Sequence, residues 1–413
     1  MSQPTPPLPE DAVLLHIGPH KTGTTAIQGI LAAAREDLLE HAVTYPGRHG
    51  AHHGHARALR QHPAGWTNDT EEVPSEKQWE NFARKVRNTP GRVVVSSEFF
   101  AQSEPAEISR AVADLDPERL HVLIAARNPG SIALSTWQQV LRDGKAGHLS
   151  AWLDKGFKRP SPAVVSRGFW SWADTATLVE RWSEVLPVDR IRVVVIDEAD
   201  RALLPATFEQ LLDLPPQFLS TRTPAFSNRG LTAPEAELLR QVIEENRDRL
   251  TWTQFSLMIR YGMVARILKE RRPDSDEPKS ALPPWAVEQA RVEADCIIER
   301  LRASGVAVSG DLENLRRLPA TGETPEFDQI PISIAVQGIS GAITSALKGM
   351  EQADAHGREE ALREAQLARK PRKHGRKKRQ VEDMSTRELM KVLNARVRAG
   401  LRRRLDPRVR RKA

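Results

Sequence analysis

Residues 13–28 read VLLHIGPHKTGTTAIQ. An apolar run ends at Gly18. A short polar turn follows through Pro19, His20, Lys21, Thr22 and Gly23. Apolar residues then recur at Ile27, Ile30, Leu31, Ala34 and Leu38. This pattern spells a buried strand, a tight loop and an amphipathic helix. Backbone N–H groups at such a helix start converge on one concavity, and the helix dipole favours an anion there. Lys21 adds a positive charge, and Thr22, Thr24 and Thr25 add hydroxyl donors. The stretch therefore predicts an anion-binding loop at the carboxyl end of a strand, in an open α/β sheet.

The order of residues narrows the chemistry. A nucleotide-triphosphate loop reads G-x-x-x-x-G-K-[ST], with lysine after the second glycine. Here Lys21 precedes Gly23, and Thr24 and Thr25 follow it. The run from Gly18 to Ala26, G-P-H-K-T-G-T-T-A, resembles the 5′-phosphosulfate loop of sulfotransferases that use PAPS (3′-phosphoadenosine 5′-phosphosulfate). It looks like the branch that includes glycosaminoglycan sulfotransferases; cytosolic members usually have Trp where this chain has Ala26. The resemblance implies a P-loop-type three-layer sandwich, with a central parallel sheet and helices on both faces. It implies that Lys21 bridges toward the phosphate–sulfate oxygen, and that Thr22, Gly23, Thr24 and Thr25 cradle the 5′-phosphate.

Three further β-branched runs read as buried parallel strands: residues 92–97, 120–126 and 191–196. Residues 42–45 read as a short strand, and residues 75–88 and 203–212 as helices. Ligands of open α/β sheets bind at the carboxyl ends of strands. The first run ends in Ser96, Ser97 and Glu98, beside Phe99 and Phe100. Glu98 there is either a base with a raised pKa near apolar rings or a surface carboxylate capping the next helix. The second run leads into Arg127-Asn128-Pro129, with Ser135 eight residues after Arg127. An arginine fork at a strand end matches phosphate oxygens, while a surface ion pair is the plainer role. The pattern R-x-P-x-x-x-x-x-S resembles the sulfotransferase site for the 3′-phosphate of PAPS, which carries over to Arg127 and Ser135. Similar bacterial sulfotransferases have an Asn-containing element where this chain has residues 226–231. Cytosolic ones have a basic loop closing over the 3′-phosphate, which carries over to Arg229; a helix-entry turn before the Thr232–Glu235 capping box is the other reading.

His49, His52, His53 and His55 crowd residues 47–59. Gly50 and Gly54 read as a mobile loop around them. They are solvated loop side chains, a metal cluster, or a source of a base near neutral pH. No second ligand-rich segment supports the metal, and the expectation is no metal. Residues 169–186 carry Phe169, Trp170, Trp172 and Trp182. Helix packing accounts for such aromatics, although sulfotransferases often shape the acceptor pocket there.

The 413 residues suffice for a large α/β domain. Cys296 is the only cysteine, which excludes an internal disulfide and a cysteine metal cluster. Residues 1–11 are proline-rich and expected to be disordered. They lack a basic region followed by an apolar core, so we expect no signal peptide and a cytoplasmic setting. No run of about 18 apolar residues occurs. The net charge of +7 is uneven: residues 369–413 carry 19 Lys and Arg against 4 Asp and Glu, net +15, leaving −8 for the rest. The expected organisation is a disordered start (1–11), a sulfotransferase-like α/β domain (12–318), a linker with an amphipathic helix (319–368) and a basic tail (369–413). In the third part, Ile332, Val336, Ile339, Ile343, Leu347 and Met350 form a stripe expected to dock on the body or on a second subunit of a homodimer. The tail has a capping box at Ser385–Glu388 and leucines or valine at 389, 393, 397, 401 and 405 among arginines. Such a helix suits an anionic membrane surface or a polyanion; no motif for specific nucleic acid surrounds it.

What these resemblances imply together is transfer of a sulfuryl group from PAPS to a hydroxyl or amine, with 3′,5′-ADP released. The acceptor is a glycan, lipid head group or metabolite. Lys21 would offset leaving-group charge, and Glu98, His20, His53 or a neighbouring histidine would take the acceptor proton. Two other classes stay open: a P-loop kinase-like protein, disfavoured by the loop order, and a non-catalytic nucleotide-binding scaffold anchored through the tail.

Overall fold

Successive residues of a strand face opposite sides of a sheet, and in this chain both sides are apolar. Val13, Leu15, Val93, Val95, Val122, Ile124 and Val193 belong to one buried cluster, and Leu14, Val94, Leu123 and Val194 to another. Strands buried on both faces pair in parallel and need helices on each side. The computed structural model has that arrangement. It describes residues 6–62, 73–145, 147–159, 168–222, 229–319, 321–323, 325, 327 and 329–369. Two compact units are distinguished, Met1–Gly349 and Met350–Ala413. The asparagine element at 226–228, the basic tail beyond Arg369 and residues 1–5 of the expected disordered start lie outside the described residues; the rest of that start is ordered, with Leu8 buried, its amide donating to the Leu211 carbonyl (2.9 Å) and its carbonyl accepting from Arg92 (2.9 Å).

The first unit holds a six-stranded parallel sheet: β1 (Val13–His16), β2 (Val43–Thr44), β3 (Arg92–Ser96), β4 (Leu120–Ala126), β5 (Ile191–Val195) and β6 (Ala307–Ser309), in the order β2-β3-β1-β4-β5-β6. Helices Thr24–Ala33 and Leu203–Leu212 cover the face of Leu14 and Val94 with Ile27, Leu31, Phe208 and Leu211. Helices Glu76–Arg87, Pro105–Leu115, Pro129–Arg142, Thr175–Ser183 and Pro284–Ser304 cover the other. The expected α/β sandwich is present. The edge strand β6 was not anticipated, because its three residues are short and partly exposed and only pairing with β5 makes them a strand.

The strand order decides where function sits. β1 pairs with β3 on one side, His16 opposite Ser96, and with β4 on the other, His16 opposite Leu123. The chain leaves β1 toward β3 and later crosses to β4, so β1 stands at the switch point where such sheets bind ligands. The loop after β1 is therefore flanked by the ends of β3 and β4.

One expectation changes, and the plainer reading of another segment holds. The histidine-rich segment is not a mobile loop: residues His53–Arg60 form a helix with His52 at its N-cap, and Ala56, Ala58 and Leu59 are buried with Trp79 and Phe82. Tertiary burial outweighs the cost of Gly54. The aromatic segment is mainly core, since Phe169, Trp170, Trp172 and Trp182 are all buried.

The helix Ile332–Arg369 begins in the first unit and docks there by the side opposite to its large apolar stripe. Ile334 is fully buried. Gly338 faces Met263, and a Cβ placed on Gly262 would stand 2.8 Å from the Gly341 carbonyl. Small residues let this backbone approach the π-helical segment Ser256–Val264, and Arg266 Nε donates to Gln337 Oε1 (2.9 Å). Ile332, Val336, Ile339, Ile343 and Leu347 face solvent instead.

This contact predicts opposite outcomes for two glycine changes. Gly262→Val should lower stability by about 1–3 kcal/mol through overpacking. Gly29→Ala, in helix Thr24–Ala33 with nothing within 4 Å of its Cβ, should raise stability by about 0.5–1 kcal/mol. Urea midpoints of the two variants check both signs.

Candidate active site

The loop after β1 is held open by backbone conformation. Lys21 and Gly23 both have left-handed φ, 70° and 82°. Left-handed residues in such a turn direct neighbouring N–H groups to one side and form an anion nest. Gly18 is required for space: a Cβ there would lie 2.7 Å from Thr24 Cγ2 and 2.8 Å from Thr22 Oγ1. Thr22 is buried, and its hydroxyl donates to the Pro19 carbonyl (2.8 Å), bracing the loop from within rather than facing its mouth. Thr24 is buried at the helix start, while Gly23 and Thr25 are exposed.

Lys21 is the cation of this loop. Its ammonium donates to Gln139 Oε1 (2.9 Å) on helix Pro129–Arg142. Arg142 donates to the same oxygen (3.1 Å), Gln139 Nε2 donates to Asp143 Oδ1 (3.1 Å), and Arg260 pairs with Asp143 (3.0 Å). Burial, followed by repulsion from Arg142 and Arg260, pushes the Lys21 pKa down to about 8, with Asp143 and Glu98 opposing.

The end of β3 supplies the carboxylate. Glu98 opens the 3₁₀ turn Glu98–Gln102, capped by Ser97, whose Oγ accepts from the Phe99 amide (3.3 Å). Gln28, on the loop helix, donates to Ser96 Oγ (3.1 Å) and to Glu98 Oε2 (3.3 Å). His20 Nδ1 stands 4.0 Å from one Glu98 oxygen and His53 Nδ1 3.6 Å from the other. Burial alone would raise the Glu98 pKa, but His53, His20, its own amide and Gln28 hold it below the usual carboxylate value. The expectation of a raised pKa is thus corrected: burial is outweighed by the two imidazoles facing the carboxylate and by the hydrogen bonds from its own amide and Gln28.

Hydrogen bonds assign the imidazole protons. Arg60 donates to Gln102 Oε1 (3.0 Å), so the Gln102 amide donates to His20 Nε2 (3.1 Å). His20 therefore carries its proton on Nδ1, toward Glu98. Burial pushes its pKa down to about 4. His53 Nδ1 lies 2.9 Å from Ser97 Oγ and near Glu98, an arrangement that favours the proton on Nδ1 and leaves the Nε2 lone pair open. Burial lowers its pKa, so it is neutral at pH 7. A neutral imidazole oriented by a carboxylate can accept a proton and have its charge stabilised as it does so. Phe99 packs edge-on against both rings, and Trp172 against His20 at 5.2 Å.

The remaining histidines of the cluster are structural. The Ser96 amide donates to His52 Nδ1 (3.0 Å), and His52 Nε2 then donates to the Pro46 carbonyl (2.8 Å). His55 stacks on Phe82, and His49 is exposed. Among the described residues no His, Cys, Asp or Glu group is arranged to hold a metal ion.

The second expected anchor divides into two places. Arg127, at the end of β4, donates to the Lys21 carbonyl (2.9 Å) and pairs with the exposed Glu198. Ser135 instead lines a pocket of about 440 Å³ with Gln138, Arg229, Gly230 and Lys279. Among the described residues no hydrogen bond joins Arg127 to Ser135. Arg229 donates both arms to the buried Glu235 (2.6 and 2.8 Å), which also accepts from Arg271 (2.8 Å). The Thr232–Glu235 capping box is present, and the Arg229 fork is committed to it.

Sequence reading missed Arg57, Gln139, Arg142 and Arg260. Arg57 is one turn beyond His53 on the same helix and lies over Phe99 (4.7 Å), with no hydrogen bond or ion pair among the described residues. Gln139 and Arg142 follow Ser135 at helical spacing, a signal that was available. Arg260 is brought in only by tertiary packing.

The chain matches no family model and no curated protein. Among solved structures it is similar to a sulfotransferase from Alicyclobacillus acidocaldarius, 17% identical, covering 56% of this chain and 95% of that one, with a TM-score of 0.37. No helix among the described residues is long and apolar enough to cross a membrane.

His16 and His52 make acid stability testable. Each is buried, and burial pushes each down to about 4 from an ordinary 6.5. Between those values the unfolded chain binds protons that the native chain does not. Stability should be fully present above pH 6.5 and fall as pH drops toward 4, by on the order of 3 kcal/mol per imidazole. Urea unfolding at successive pH values measures the slope, and a flat profile over that window would contradict the assignment.

Proposed function

We propose that this protein transfers a sulfuryl group from PAPS to a hydroxyl or amine of an acceptor. The observation that carries the reading is the meeting, at one loop, of a half-buried ammonium (Lys21) and a carboxylate faced by two imidazoles (Glu98 with His20 and His53). The loop N–H groups, with Gly23, Thr24 and Thr25 at the helix start, hold the 5′-phosphate. Lys21 offsets the charge that develops on the phosphate oxygen as its bond to sulfur breaks. The acceptor oxygen or nitrogen attacks sulfur in line, and its proton passes to His53 Nε2. Glu98 stays ionised, orienting both imidazoles and stabilising the imidazolium; its lowered pKa makes it a poor base and a good partner. His20 is held to the carboxylate by Gln102. The protein positions and neutralises, which is what an in-line displacement of this kind requires.

Arg127 would turn from Glu198 to the 3′-phosphate, since an exposed ion pair is cheaply exchanged. Ser135 and the pocket lined by Lys279 and Arg229 would complete that end. Arg57, Arg142 and Arg260 crowd the same mouth, and this excess of cations over Asp143 and Glu98 supports a negatively charged acceptor: a glycan, lipid head group or metabolite bearing carboxylate, phosphate or sulfate.

Calorimetric titration with 3′,5′-ADP, 5′-AMP and ATP tests the donor site. 3′,5′-ADP should bind at least tenfold tighter than the others, about 1.4 kcal/mol, and Arg127→Ala should remove the preference. Equal or tighter ATP binding would sink the reading. With sulfur-labelled PAPS, Lys21→Ala should cut transfer by roughly 10²–10³-fold while 3′,5′-ADP binding is partly kept; turnover near wild type would remove Lys21 from its role.

The pH profile follows from the same groups. Lys21 is charged below about 8, so nucleotide affinity should weaken as pH rises through that value. Lys21→Arg should abolish this limb. Because His53 lies below its ordinary 6.5, the acidic loss of turnover should begin below that pH.

A further inference from the structure

The helix Ile332–Arg369 has two unlike faces within the first compact unit. One is locked to the body by Ile334, Gly338 and Gly341, so the helix cannot roll to hide the other. The outer face presents Ile332 (80% exposed), Val336 (51%), Ile339 (62%), Ile343 (54%) and Leu347 (55%) to solvent. Apart from the buried Ile334 these are the large apolar side chains of that stretch, and no Asp, Glu, Lys or Arg occurs between Ile332 and Leu347. A solvent-facing helix ordinarily carries charges there.

We propose that this face pairs two copies of the chain in solution, helix against helix about a two-fold axis. The spacing favours an identical partner. Ile332, Val336, Ile339 and Ile343 follow steps of four, three and four, the seam that meets a like helix by knobs-into-holes packing. A two-fold contact brings one patch against itself, and an uncharged patch meets no self-repulsion. The area is sufficient: the five side chains expose on the order of 500 Å² of apolar surface, at the upper end of what monomers leave open. Pairing would remove about 1,000 Å² in total before flanking residues are counted, the scale of a specific interface. A lipid surface fits less well, because an interfacial helix flanks its apolar face with cations of its own, and Lys348 is the only Lys or Arg from Ile332 to Gly357.

The full chain, studied by light scattering across 1–100 µM, should reach twice the 46.2 kDa of one chain. Ile339→Glu with Ile343→Glu should return it to single-chain mass with an unchanged circular dichroism spectrum, as both residues point away from the body. In a Cys296→Ser background, Val336→Cys, Ile339→Cys and Ile343→Cys should include at least one that forms an intermolecular disulfide under mild oxidation, and the body-surface control Glu299→Cys should not. A wild-type chain of single mass throughout, or a dimer that survives the double substitution, overturns the proposal. So does a monomer that binds phosphatidylcholine vesicles through these residues, which would assign the stripe to lipid.

Discussion

Glu98 is the group on which three parts of the site converge. It opens the turn that follows β3, the strand paired beside β1, and it is mostly enclosed. A carboxylate in such a place is costly unless donors surround it. Here Gln28 of the loop helix donates to it (3.3 Å), and the imidazoles of His20 in the loop and His53 in the histidine-bearing helix face its two oxygens at 4.0 and 3.6 Å. Each group belongs to a separate element, so satisfying one charge fixes their mutual geometry. The pKa consequences are coupled in direction: the imidazoles are kept neutral by burial, and the carboxylate is held below its usual value by the imidazoles facing it, its own amide and Gln28.

Lys21 is tuned from the opposite side. Burial and the nearby arginines weaken its hold on the proton, while Asp143 and Glu98 restore part of it. Gln139 transmits the arrangement, accepting from Lys21 and Arg142 while donating to Asp143. A cation held by a neutral amide rather than by a carboxylate retains most of its field for an incoming anion. By contrast, Arg229 gives its whole fork to Glu235 and belongs to the scaffold of the pocket wall. The two arginines carried over from the same resemblance thus differ in what would have to break before either meets a phosphate: an exposed pair for Arg127, a buried bidentate one for Arg229.

The long helix after the sheet shows the same economy of surfaces. Glycines at the crossing with segment Ser256–Val264 permit backbone approach that a larger residue would prevent. Close approach commits that face to the body and leaves the large aliphatic residues outside. Of the two docking surfaces expected for the large residues, the body is excluded by shape, because the neighbouring segment presents Gly262 at the contact and takes the small-residue face instead.

The sequence by itself determined the class of sheet and the loop. Short β-branched runs apolar at every position read as strands buried on both faces, and a strand–glycine–lysine–threonine turn before a helical repeat reads as a strand, tight loop and helix start. Residues close along the chain, such as Gly18, Lys21 and the Thr232–Glu235 capping box, were legible for that local reason. Pairings across the fold were decided by tertiary structure: Glu98 with His20 and His53, Lys21 with Gln139, Arg127 with the Lys21 carbonyl. Strand order is set by which helices can cover which face, and no local pattern encodes it. The histidine segment became a helix because Trp79 and Phe82 wait beneath it, and the sign of the Glu98 shift reversed because groups from three elements reach it. Periodicity marks a face as apolar; only the shape of the neighbour decides whether that face is buried.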